Sequence, residues 1–479
     1  MKTGFYNGYI YDPDDDTFHS SLIIENNSII SIDNDLKLKE CENIINLKKR
    51  MLLPSFIDTH LHLDEIGIYL NSLNLKNISS VNELKQKLKN YRKIHTGHIF
   101  GFGWDDEKLG MWPSYKDIDG NDDVYILLAR NDLHSGLINK KLEEDAKLNS
   151  EKGIVKEREF ERAREFLIKN YDYNTVRKYL MDSMDYLLSF GITTAGYMSC
   201  YGKWCEILKD MDSKGILKMR IFSYLNFDEI IKRDSLYVGE YYREYGLKVY
   251  ADGSLGSRTA FLTFGYSDDP GNKGIRIIDN KDMFLDVCNK FDCDLAVHAI
   301  GDGAMDIILE MSKYYKKFRI EHASVVRDDQ IKRMKNLRIS VQPGFILTDF
   351  WIDKRIGENN IRLAYRIKDL AENNMISFSS DAPVEIPDPL RNIYASIFRG
   401  FKEKLPISKT YQNISLRDAL RFHISNGAKF FNIKAGKLEE GYFADMVILN
   451  KNIFENENEI LNLRVENVYF DGFSLNSNH

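Results

Sequence analysis

Short apolar runs punctuated by turn residues mark both ends of the chain. Gly8-Tyr9-Ile10-Tyr11, Ser21 to Glu25 and Ser28 to Ile32 read as strands, with an Asn26-Asn27 turn between the last two. A matching set, Gly441 to Leu449 and Val465 to Gly472, lies near the other end. Chain ends usually lie at the surface and close together, so residues 1–53 and 432–479 are expected to form one small β-sandwich domain.

Between these ends, strand-like and helix-like patterns alternate, the signature of βα units on a parallel sheet. Eight strand candidates stand out: Met51 to Leu63, Gly191 to Gly196, Met219 to Tyr224, Leu247 to Asp252, Leu295 to Ile300, Arg319 to Ala323, Arg338 to Gln342 and Met375 to Asp381. The pattern predicts an α/β fold, a (β/α)8 TIM-like barrel over residues 54–431. The first connection, Asp64 to Phe190, is far longer than a normal crossover. It contains helical Val81 to Lys93 and Arg162 to Leu188 with irregular aromatic sequence between them. An inserted subdomain at about 66–178 is expected there, as a lid beside the first strand.

Composition narrows the function classes. A chain of 479 residues exceeds one ordinary core. With 43% hydrophobic and 29% charged residues and a net charge of -6, it is an ordinary globular protein without the basic stripe that nucleic acid or an anionic membrane would require. No apolar stretch approaches the ~18 residues of a membrane span, and Met1 to Gly8 lacks a signal-peptide core, which makes the cytoplasm the default location. Five scattered cysteines, Cys41, Cys200, Cys205, Cys288 and Cys293, show no metal spacing and are expected to be reduced. The 27 Tyr and 27 Phe leave room for a homo-oligomer interface.

Candidate chemistry gathers at the predicted strand ends. The run Pro54 to Leu63 ends in His60 and His62, and side chains two apart on a strand share a face, so both can meet one ion. Alone, that pair is a weak signal. The chain has ten histidines, and His298 and His322 occupy similar buried runs, while Asp381 closes the eighth. Active sites of this barrel lie at the C-terminal strand ends, where these five groups would converge. Lys248, in its strand candidate Leu247 to Asp252, either pairs with Asp252 or is held neutral by burial and takes up carbon dioxide as a carbamate, an oxygen ligand that bridges two ions.

Several segments together resemble the YtcJ-like branch of the amidohydrolase superfamily, which includes N-substituted formamide deformylase. They are Lys248 to Ala260, His298-Ala299-Ile300-Gly301-Asp302, Glu321-His322-Ala323, Ser340 to Pro343 and Ser380 to Val384. Phe102 to Asp105, Arg130 to His134 and Gly441 to Met446 extend the likeness, which runs in order from about Leu53 to Val447. The resemblance implies that His60 and His62 bind a first ion, carbamylated Lys248 bridges, His298 and His322 bind a second, and Asp381 binds the first while touching the catalytic water. A single ion with unmodified Lys248 is the alternative. Zinc is the leading metal, with iron, manganese or nickel behind it.

The implied reaction is hydrolysis of a non-peptide C–N amide bond of a small molecule by a metal-bound hydroxide. Asp381 takes the water proton and passes it to the leaving amine. Asp252 and Arg258, in a glycine-rich loop, are read first as loop-shaping and second as substrate contacts. Trp104, His134 and Gln342 are further candidates for the substrate pocket, although a tryptophan more often simply packs. His19, His95, His98, His423 and His479 carry no such context. Two other functions compete: a mononuclear ring deaminase, which needs no bridging lysine, and a catalytically silent barrel acting as a binding protein.

Overall fold

The apolar run that opens the central region splits at Ser55. The computed structural model, which describes residues 1–120 and 123–475, pairs Met51–Pro54 with the terminal strands and gives Phe56–Leu61 to the barrel. The expected single strand from Met51 to Leu63 is thus two, each with its own sheet.

Eight parallel strands follow one another in sequence order around a nearly closed TIM-like barrel. They are β1 (Phe56–Leu61), β2 (Ile192–Cys200), β3 (Arg220–Leu225), β4 (Tyr242–Tyr250), β5 (Asp294–Ala299), β6 (Phe318–His322), β7 (Arg338–Val341) and β8 (Met375–Phe378). Every residue of β1, β3, β5 and β6 is buried, as strands covered on both faces must be. The ends of the sheet meet just beyond β8, where Asp381 N donates to His60 O at 2.8 Å and His62 N to Ala382 O at 2.8 Å. Asp58 braces the same seam, its Oδ1 accepting from His60 N and Ser380 N at 3.1 Å each. Packing of β2 on β1 demands glycine at 196, since a Cβ there would lie 2.2 Å from Thr59 O.

Strands from both chain ends form a second sheet. Its order is Phe473–Ser474, Val465–Phe470, Met446–Leu449, Met51–Pro54, Lys2–Asp12, Thr17–Glu25 and Ser28–Ile32, with Asn43–Asn46 also on Lys2–Asp12. Phe5, Leu22, Leu52, Met446 and Tyr469 pack into one cluster, so residues remote in sequence share a core. Buried Arg220 of β3 ties barrel to sheet through Asp445 at 3.3 Å and Asp471 at 3.1 Å.

The chain divides into two compact units, Met1–Leu63 with Met184–His479, and Asp64–Ser183. The second is not irregular between its helices. It holds a five-stranded sheet in the order Ile154–Lys156, Ser135–Ile138, Ile126–Arg130, Ile99–Trp104 and Leu73–Asn74. The expected long helix is two, Glu157–Lys169 and Tyr173–Ser189.

Cys200 and Cys205 lie side by side. The helix Gly202–Ser213 folds back over the end of β2 and brings their Cα atoms to 6.1 Å. No helix among the described residues is long and apolar enough to cross a membrane.

Candidate metal centre

The seam of the barrel assembles the densest cluster of ligand atoms. His60 sits near the end of β1 and His62 just past it, two residues apart on one face. Asp381 lies three residues beyond β8 at φ 60°, a left-handed turn that swings its carboxylate back over the strand end. His60 Nε2 and His62 Nε2 each lie 3.2 Å from Asp381 Oδ1. Among the described residues these three form the one group of His, Cys, Asp or Glu whose ligand atoms all fall within 4.8 Å of one another.

Three histidines are each held by one ring nitrogen, which frees the other. His60 Nδ1 donates to Glu321 Oε2 at 2.6 Å, because a carboxylate only accepts, and this leaves Nε2 bare for a metal. Burial opposes ionisation of Glu321, but Arg319 and His60 outweigh it and keep the carboxyl well below its usual range. Arg319 Nε meets Glu321 Oε1 at 2.5 Å inside the barrel, with Tyr224 Oη and Thr59 O taking its other donors. His322 Nδ1 donates to Gln342 Oε1 at 2.8 Å, and Gln342 Nε2 donates to Ser379 Oγ at 2.8 Å. His298 Nε2 donates to Gly253 O at 3.0 Å, which leaves Nδ1 as its unprotonated nitrogen in the neutral ring.

His322 reaches the site against strand alternation. Arg319 and Glu321 point into the barrel, so strict alternation would turn His322 outward. A φ of 76° at His322 and 49° at Ala323 turns the chain instead. The His322 ring then lies 4.5 Å from that of His298 and 4.8 Å from that of His60, centroid to centroid. Lys248, on β4, completes the group. Its Nζ is buried without a hydrogen-bond partner, 5.1 Å from the centre of the Tyr250 ring. Burial pushes Lys248 down to about 8, against the pull of Glu321 and Asp381. It does not pair with Asp252.

A cavity of about 370 Å³ opens from this cluster, lined by His60, His62, Lys248, His298, His322 and Asp381 together with Tyr250, Asp349 and Trp351. A larger cleft of about 1070 Å³ lies at the other end of the barrel, around Arg338 and Met375 at the starts of β7 and β8, and contains none of these groups.

The geometry has a counterpart in sequence: a model of the amidohydrolase family covers residues 43–474. The chain belongs to that family. Its similarity to known proteins extends over most of its length. An uncharacterized metal-dependent hydrolase from Pyrococcus furiosus shares 34% identity and a TM-score of 0.88, over 94% of this chain and 99% of that one. YtcJ of Bacillus subtilis (strain 168), named as a putative amidohydrolase, is 25% identical over 86% of each chain. N-substituted formamide deformylase of Arthrobacter pascens is 24% identical over 38% of this chain and 36% of its own. The family and these relatives make the chain a metal-dependent hydrolase of the YtcJ-like branch.

The residues present fit a divalent ion. The Nε2 atoms of His60 and His62 face one carboxylate oxygen, and an orphaned buried amine stands in the same cavity.

The remaining candidate residues lie elsewhere. Trp104 is fully enclosed in the core of the Asp64–Ser183 unit, its Nε1 donating to Leu128 O at 2.7 Å, so it packs and presents no surface to a substrate. His134 is exposed on that unit, 3.6 Å from Glu157. Gln342 is buried and orients His322 rather than lining the cavity. Asp252 shapes the loop after β4: its carboxylate accepts from Ile300 N, Gly301 N and Phe261 N at 2.8 to 3.0 Å. Arg258, at φ 57°, pairs with Asp268 at 2.9 Å in the same loop. His423 is buried against Phe56 and Phe378, and His479 lies outside the described residues. Glu321, Arg319 and Asp58 support the ligands, yet sequence reasoning misses them; a buried Arg-x-Glu-His run is the signal that points to the first two.

Proposed function

We propose that the protein hydrolyses a non-peptide C–N amide bond of a small molecule. The observation that carries this reading is the convergence of His60 Nε2 and His62 Nε2 on Asp381 Oδ1 beside the orphaned amine of Lys248. A divalent ion held there, zinc for preference, would supply a water acidified from a pKa of about 15.7 to near 7 and would polarise a carbonyl oxygen. His60, His62 and Asp381 would hold the first ion. His298 Nδ1 and His322 Nε2 would hold a second, with Lys248 as a carbamate between the two.

The chain's own groups supply the rest. Asp381 is kept ionised well below the usual carboxylate range: burial would raise it, but His60 and His62 outweigh burial. It therefore accepts a proton from water and returns it to the leaving nitrogen, which departs only once protonated. His60 and His322 keep fixed tautomers through Glu321 and Gln342, so the ligand nitrogens need no reorganisation. Walls such as Leu255, Ile300 and Phe345 limit water around the reacting bond. The same reading takes the terminal sheet as a small sandwich folded over its Phe5 and Leu52 cluster.

Support for amide rather than ring-amine chemistry comes from Lys248, which a mononuclear deaminase would not need. The test is a panel of N-formyl, N-acyl, cyclic amide and ring-amine compounds offered to zinc-loaded protein. Amide turnover that disappears in Lys248→Ala is the expected result. Turnover of ring amines alone, undiminished in that variant, would overturn the reading, as would a wild-type protein that binds no metal.

A further inference from the structure

Outside the cluster of His60, His62, Lys248, His298, His322 and Asp381, the cavity lining carries charge of one sign only. Among the described residues that line it, Lys248 is the sole ammonium or guanidinium group, and it sits among the ligand histidines. The one carboxylate besides Asp381 is Asp349, which follows the short helix Phe345–Thr348.

Asp349 is held in place. Tyr365 Oη donates to Asp349 Oδ2, and Tyr365 is itself fixed from behind. Its backbone is left-handed at φ 47°, its N–H donates to Ser324 O at 2.7 Å, and its carbonyl accepts from the buried Arg399 guanidinium at 2.8 Å. Arg355, whose charge reaches Asp349, is committed to Leu255 O at 3.0 Å, Gly256 O at 2.7 Å and Asp268 at 3.1 Å. Glu385 is the other acidic group acting on Asp349, and its Oε1 accepts from Thr348 Oγ1 at 2.5 Å. Burial pushes Asp349 up to about 6, which leaves it mostly ionised at neutral pH. Phe345, Trp351, Tyr365 and Tyr250 bring aromatic rings to the same cavity.

We propose that Asp349, oriented by Tyr365, determines specificity by binding a protonated amino group carried by the amide substrate. A carboxylate among aromatic rings is the environment that favours an ammonium: the oxygen accepts a charge-assisted hydrogen bond, and the ring faces attract the cation. A substrate carboxylate finds no free cation among the described lining residues and meets Asp349 instead. The inference rests on the amide reading for where the substrate lies.

The test uses zinc-loaded protein and three probe series of increasing chain length. These are N-formyl-α,ω-diaminoalkanes, neutral N-formylalkylamines of the same length, and N-formyl-ω-amino acids. Calorimetry reads affinity and amine release reads turnover. At one chain length the cationic probe binds at least ~10-fold tighter than its neutral partner, and the anionic probe is the weakest. Asp349→Asn collapses the cationic-to-neutral ratio towards one. Tyr365→Phe, which keeps the charge but loosens it, lowers the ratio by about 3-fold. Equal affinity of cationic and neutral probes at every length, or a ratio that survives Asp349→Asn, overturns the proposal. If the cationic preference holds while no probe is hydrolysed, the amide reading fails and the specificity stands. Hydrolysis of neutral amides with no preference for the cation is the opposite outcome: the amide reading stands and the specificity fails.

Discussion

At the seam between β1 and β8, three ligand side chains reach one another, with both histidine nitrogens 3.2 Å from a single carboxylate oxygen. Across β4 to β6, by contrast, His298 and His322 meet ring to ring at 4.5 Å, and Lys248 Nζ has no hydrogen-bond partner. The seam already offers an ion two ring nitrogens and a carboxylate. The other side offers two nitrogens and an amine that repels a cation until its charge is removed. On the proposed reading the two halves have different requirements: the first would need only its braces, while the second would also need a chemical change at Lys248.

The braces differ too, a charged Glu321 behind His60 and a neutral Gln342 behind His322.

Removing Asp381 should break the seam half outright. Asp381→Asn is expected to lower kcat/KM by about 10⁴-fold on any substrate the zinc-loaded wild type turns over, since it takes away a ligand and the proton carrier together. A loss below ~10-fold, read in steady-state kinetics at saturating zinc, would show that Asp381 is neither.

The braces sharpen the contrast at smaller scale. Glu321→Gln should weaken binding of the first ion by about 100-fold, and Gln342→Ala should weaken the second by about 10-fold, both read by competition with a chromophoric chelator. Glu321→Gln should also lower the melting temperature, because Arg319 keeps its charge inside the barrel without a full counter-charge, an imbalance of about 3 kcal/mol or more. Equal effects of the two substitutions on both ions would erase the distinction between the halves.

The smallest effect is on stability against pH in metal-stripped protein. Burial, then the charge of Lys248, push His298 down to about 3, whereas an unfolded histidine titrates near 6.5. Below 6.5 the unfolded chain takes up a proton that the folded chain refuses, so stability falls as pH drops from 6.5 towards 3. Between pH 6.5 and 5 the loss from this residue is about 2 kcal/mol. Urea unfolding at those two pH values should show a shallower drop in His298→Asn; an identical drop would place the titration elsewhere.

Much of the site is legible in the amino-acid sequence. The alternation that sets His60 and His62 on one face, and the placement of Lys248, His298 and Asp381 near strand ends, follow from strand periodicity and barrel architecture. Periodicity does not reveal that Met51–Pro54 and Phe56–Leu61 serve different sheets, because both segments are equally apolar. It misleads for His322, whose left-handed backbone no local pattern announces. Trp104 fails as a pocket residue for a related reason: an aromatic in an apparently irregular stretch sits in the core of a sheet. The bracing roles of Glu321 and Gln342 are hidden because they exist only through contacts across strands, from β6 to β1 and from the end of β7 to β6.

The central claim is that the seam holds an ion by itself and that Lys248 is required only for the second. Counting zinc on purified Lys248→Ala by native mass spectrometry, beside wild type equilibrated with bicarbonate, tests it most directly. The account predicts two ions on the wild type with a carbon dioxide adduct on Lys248, and one ion on the variant. A variant that keeps both ions, or loses both, would contradict it.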